Sequence, residues 1–136
     1  MRQHVLDANA LYHYLLKTDN GIVARVFREA VPADAAVMMS VVSWGEVYYT
    51  LAKRIGMDRA RKLLAEVLEK TPLSLVNVER RDAESAAELK NRYQIPYADA
   101  FVAALAGSQH IVVTADVKDF SRIPKLRILK LPVVTN

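Results

Sequence analysis

Four acidic residues set the chemical question: Asp7, Glu46, Asp99 and Asp116, with Asp119 close behind the last. They are far apart in the chain, and each borders an apolar run. Asp7 follows "HVL", Glu46 lies in "SVVSWGEV", Asp99 opens "YADAFVAALAG", and Asp116 comes just after "HIVVT". A carboxylate among apolar neighbours is costly unless it has a partner. If these groups converge, each like-charged pair at about 4 Å costs roughly 4 kcal/mol at an effective dielectric of about 20. Either several hold protons or a divalent cation joins them. The chain has no cysteine, and its three histidines, His4, His13 and His110, stand at no metal-ligand spacing. Oxygen-only ligation of this kind suits Mg²⁺ or Mn²⁺.

Each acid also has a plainer reading. Asp7 is well placed to N-cap the helix that follows, and capping does not exclude ligation. Ser43 and Glu46 have the S-x-x-E spacing of a capping box. A helix starting near Ser40 would instead put Glu46 in the second turn, beside Val42 and Tyr49. A first-turn Asp99 gains roughly 0.3–1 kcal/mol from the helix dipole, which does not explain why the rest of its helix is so dry. Asp116 and Asp119 suit a turn that bonds local amides. Asp116 is nearer the strand end and is the favoured ligand, with Asp119 in reserve. Asn9 and Thr114 are supporting candidates as hydrogen-bond partners for a neighbouring carboxylate, and Ser40 as a further residue at a strand's carboxyl end.

The elements that must position these residues alternate. Strands are predicted over 3–6, 36–40, 72–78, 110–114 and 126–131. Helices are predicted over 8–17, 22–30, 41–54, 59–70 and 79–93, and over "ADAFVAALAG", opened by Pro96 and Tyr97 and closed by Gly107. "TDNG" and "VPADA" read as turns, and Asp58 as the N-cap of the helix over 59–70. On the helix over 79–93, Asp82, Glu84, Glu88 and Lys90 should be solvated. Alternating apolar strands and helices imply an α/β domain with a mainly parallel sheet of about five strands, helices covering both faces. Ligands of such sheets sit beyond the carboxyl ends of the strands, at the topological switch. Asp7, Ser40, Thr114 and Asp116 all fall at those ends.

The 136 residues suit a single domain over 1–136, with 52% hydrophobic and 25% charged residues. The net charge of +4 fits a polyanionic partner such as nucleic acid, or plain solubility. "MRQHVLDANA" shows no secretory h-region, and no run is long enough to span a membrane without a polar break. Together with the absence of cysteine, this leads us to expect a cytoplasmic protein with no membrane partner.

The constellation "VLDANAL", "SVVSWGEV", "YADAFVAALA" and "VVTADVKDF" resembles the PIN domain, most closely the small VapC-like ribonuclease toxins of toxin–antitoxin pairs. The resemblance spans essentially the whole chain. It implies a three-layer α/β/α sandwich and assigns Asp7, Glu46, Asp99 and Asp116 as the metal-binding, catalytic acids. It further implies Mg²⁺- or Mn²⁺-dependent endonucleolytic cleavage of RNA, a cognate antitoxin that covers the acidic site, and a homodimer. Family members often carry Thr or Ser after the first Asp and Arg before the last, where this chain has Ala8 and Ala115.

Two other readings compete. A phosphoacceptor receiver-like domain also gathers acids at strand ends, but needs an acceptor Asp after the third strand, where "LSLVNV" carries Asn77. A catalytically silent RNA- or protein-binding module on the same fold would not need the full acid set. Trp44, Tyr12, Tyr14, Tyr48 and Tyr49 suit base stacking, a partner groove, or the core.

Overall fold

The computed structural model describes residues 3–134. The order is β1 (His4–Leu6), α1 (Ala8–Leu16), α2 (Ile22–Ala30), β2 (Val37–Ser40), α3 (Val41–Ile55), α4 (Met57–Lys70), β3 (Leu73–Val76), α5 (Arg80–Tyr93), α6 (Tyr97–Ala106), β4 (Ile111–Thr114) and β5 (Arg127–Lys130). A single 3₁₀ turn, Phe120–Arg122, precedes the last strand. The five strands form one parallel sheet in the order β3-β2-β1-β4-β5. From β1 the chain builds outward through β2 and β3, then returns to add β4 and β5 on the other side. The switch in direction therefore lies between β1 and β4, beneath their carboxyl ends.

The strands are apolar throughout because both faces are covered. Leu6, Val37, Met39 and Val113 point into one cluster with Leu11, Val23, Phe27, Val47 and Leu64 of α1 to α4. The alternate residues Val5 and Val112 meet Val102 and Ala106 of α6, and Phe120, on the opposite face. A third cluster, Ala86, Ile95, Ala100 and Phe101, locks α5 to α6. Helix α6 thus packs on both the sheet and α5, which accounts for its lack of a polar face. Among the described residues, no helix is long and apolar enough to cross a membrane.

Several local expectations shift. Helix α4 begins at Met57 with Gly56 as its cap, so Asp58 lies in the first turn and pairs with Arg61 at 3.7 Å. Gly56, at φ 92°, joins α3 directly to α4 and leaves no room for a cap at Asp58. The third strand is only Leu73–Val76, with Asn77 beyond its end. The "TDNG" turn hides an acid: Asp19 is 3% exposed. Its Oδ1 accepts from Gly21 N at 3.2 Å and its Oδ2 from Val23 N at 2.9 Å.

Candidate functional site

Asp7 is the first residue beyond β1, and Thr114 is the last of β4. Asp7 N donates to Val113 O at 3.2 Å, which extends the ladder past Leu6 and sets Asp7 beside Thr114. Asp7 also caps α1, its Oδ1 accepting from Ala10 N at 2.8 Å. Its Oδ2 accepts the Thr114 hydroxyl, whose oxygen accepts in turn from Asp116 N at 3.0 Å. Asn9 Oδ1 accepts from Ala115 N at 3.0 Å. The first turn of α1 is thereby tied to the segment after β4, and the capping and clustering roles of Asp7 coexist.

Glu46 is placed by Ser40. The Ser40 hydroxyl accepts from Val42 N at 3.2 Å, so α3 starts at Val41 and Glu46 lies in its second turn, half-buried. Ser43 therefore caps nothing. It is fully buried, and its Oγ lacks a hydrogen-bond partner among the described residues. The capping box is found elsewhere, at Glu79 and Asp82 on α5. Asp99 lies in the first turn of α6, half-buried, where the helix meets the ends of the central strands.

The electrostatics couple these separate segments. Burial pushes the Asp7 carboxyl up to about 7; hydrogen bonds from Thr114 and Ala10 oppose this, and the charges of Asp99 and Glu46 add to it. Asp99 is pushed up to about 6, first by burial and then by Asp119, Glu46 and Asp116. Glu46 is raised by burial. These acids are close enough to repel, but among the described residues no three acidic or histidine side chains are arranged tightly enough to hold a metal ion.

The two acids after β4 differ in placement. Asp116 is exposed and turns back on its own segment, its Oδ1 accepting from Lys118 N at 3.2 Å. Asp119 is half-buried and acts more strongly on Asp99 than Asp116 does. The cause is Phe120, which is fully buried against Val5 and Val102 and draws the 3₁₀ turn onto the sheet end. Asp119 Oδ1 stands 3.8 Å from Arg122 Nη1, which donates to Gln94 O at 2.7 Å. Reading proximity from the strand end alone misses this. The available signal was Phe120, an apolar anchor directly after Asp119.

The other sequence candidates scatter. His13 Nδ1 pairs with Thr18 Oγ1 at 2.7 Å, and His110 Nδ1 accepts from Gln3 N at 3.3 Å. His4 opens β1, its pKa lowered chiefly by burial. Tyr12, Tyr14, Trp44 and Tyr48 are partly buried against the larger core cluster, whereas Tyr49 is exposed.

Comparison with known proteins then bears on this arrangement. The family model described as "PIN domain" matches residues 4–126. No curated protein sequence matches significantly. Among solved structures, DNA-bound VapBC from Salmonella typhimurium matches with a TM-score of 0.75 at 19% identity, covering 96% of this chain and 98% of that one. A toxin-antitoxin complex from Klebsiella pneumoniae matches at 0.65 and 22% identity, covering 97% and 99%. Mycobacterium tuberculosis VapC20, a sarcin-ricin loop cleaving toxin, matches at 0.69 and 19% identity, covering 91% and 98%. At these identities the likeness is one of fold.

Proposed function

This chain belongs to the PIN domain family, and from that premise we propose that it is a Mg²⁺- or Mn²⁺-dependent endoribonuclease, the toxin of a toxin–antitoxin pair. Its 136 residues make one domain on this reading, with Asp7, Glu46, Asp99 and Asp116 as the catalytic and metal-binding acids. The observation that carries the proposal is the coupling of carboxylates from separated segments: burial first, then the neighbouring acids, raises Asp7 to about 7 and Asp99 to about 6.

In its chemistry the donor set suits a hard divalent cation, since every candidate ligand is a carboxylate oxygen and the chain has no thiol; the side chains would have to draw together around the ion. Asp7, Glu46, Asp99 and Asp116 would hold the ion, with Asp119 within reach. Such an ion, when bound, neutralises charge at a phosphodiester oxygen and lowers the pKa of a bound water. The chain supplies the rest. Asp7 is fixed at both oxygens, so its orientation is set before any substrate arrives. Lys118 and Arg122 flank the acids and offer cations to an RNA backbone that the carboxylates alone would repel. Arg122 Nη1 is held by Gln94 O and lies 3.8 Å from Asp119 Oδ1.

The fold shared with VapC20, a sarcin-ricin loop cleaving toxin, supports RNA as the substrate. The complexes from Salmonella typhimurium and Klebsiella pneumoniae support an antitoxin as protein partner, and the homodimer and cytoplasmic setting belong to the same reading. The test is incubation with total cellular RNA and mapping of the cut ends. Defined internal cuts with Mn²⁺ or Mg²⁺, lost with EDTA and in Asp99→Asn, are expected. RNA binding without cuts under any divalent metal would overturn the enzymatic reading in favour of the silent module.

A further inference from the structure

A cavity of about 180 Å³ opens between α1 and α3, lined by Ala8, Asn9, Tyr12, Glu46, Val47 and Thr50. It shares Glu46 with the proposed acid site, so whatever fills it would lie next to a phosphate held there. Ala8, Val47 and the Tyr12 ring make its walls apolar. The Tyr12 ring is braced by His13, ring centroids 5.8 Å apart and planes 77° apart, and His13 is itself pinned by Thr18. Asn9 lends a directional group: its Oδ1 is taken by Ala115 N, so the two Nδ2–H donors are the end left for a ligand. Thr50 is exposed at the mouth and brings a hydroxyl.

We propose that this cavity receives one nucleobase of the RNA strand beside the scissile phosphate and so helps choose the cut site. The inference rests on the ribonuclease reading above and adds a specificity pocket to it. A base is the part of an RNA strand with an apolar face and a polar edge, which matches apolar walls with the Asn9 amide and the Tyr12 and Thr50 hydroxyls. A phosphate in the same space would face the Glu46 carboxylate. The volume suits one ring system, not a helix or an extended peptide.

The experiment compares wild type with Thr50→Phe, which fills the mouth from an exposed helix position, and with Tyr12→Leu, which removes the aromatic ring. Both are checked for folding by thermal melting. Cleavage with Mn²⁺ is measured on one oligoribonucleotide in which each position flanking the cut is made abasic in turn. The wild type should lose about tenfold in kcat/KM at one position, the scale of one base stacked on an aromatic ring. Thr50→Phe and Tyr12→Leu should lose activity on the intact strand and become indifferent to the base there. A wild type indifferent to base removal at every position, or variants as sensitive as wild type, would overturn the assignment and leave the cavity to a protein side chain. The failure of the enzymatic reading is separable, because the cavity is also read by binding. With EDTA present, a 2-aminopurine-labelled strand should be quenched by wild type and not by Thr50→Phe. Equal quenching, or none, would remove the pocket even if cleavage were absent.

Discussion

Asp7 and Asp19 are the same residue in nearly the same local role, and they behave differently. Each is almost fully buried, at 6% and 3% exposed, and each accepts a backbone N–H at the start of a helix. Around Asp19 the chain supplies two amide donors, one to each oxygen, and the carboxylate is a structural cap. Around Asp7 it supplies one amide and one hydroxyl, then turns the charges of Asp99 and Glu46 toward it. Burial alone does not distinguish the two. What separates the two sites is that one carboxylate meets an amide at each oxygen, whereas the other, bonded to one amide and one hydroxyl, also feels acids from remote segments.

The contrast is open to breakage by substitution. Asp99→Asn should keep the fold and lower RNA cleavage by about 100-fold or more, measured on purified folded protein, as expected when a charge-stabilising group is lost. The pH response follows from the raised carboxyls. Folded Asp7 and Asp99 hold protons up to about 7 and about 6, whereas the usual value is 3.8. Their contribution to stability is therefore full below that usual value and is lost as pH rises through 6 and 7. The melting temperature in EDTA should fall between pH 5 and pH 8, and a flat profile in that window would break the account.

Asp7→Asn sharpens the comparison further. Asn retains the cap, and its amide can donate to Thr114 Oγ1 while the Thr114 hydroxyl turns to Asp116 O, 3.2 Å away. The EDTA-treated protein should gain roughly 1–3 kcal/mol at pH 8, read by denaturant titration, because a buried charge under repulsion is removed. Asp19→Ala should do the reverse. It should cost about 1–2 kcal/mol as a lost cap while leaving cleavage per folded molecule unchanged.

The same contrast explains what could be read in advance. Alternating apolar strands and helices specified a parallel sandwich, because residues such as Val5 and Leu6 must bury opposite faces of one strand. Asp7 and Asp99 were legible as acids in dry surroundings, because each adjoins a run too apolar to need a solvated acid. Asp19 was not legible as buried: a Thr-Asp-Asn-Gly turn reads as surface, and only the packing of α2 hides it. The stronger pressure of Asp119 on Asp99 was equally out of view, since it depends on where Phe120 docks. The base-sized cavity depends on the spacing of α1 and α3, which no local pattern encodes.

The central claim is that carboxylates from four separated segments form one cation-demanding cluster. It is tested most directly by the melting temperature at pH 7.5 as a function of Mn²⁺ concentration. Wild type and Asp19→Ala should both rise steadily with added metal, as binding to the folded state requires, and Asp99→Asn should not. A wild-type melting temperature unmoved by millimolar Mn²⁺, or an equal rise in Asp99→Asn, would contradict the claim.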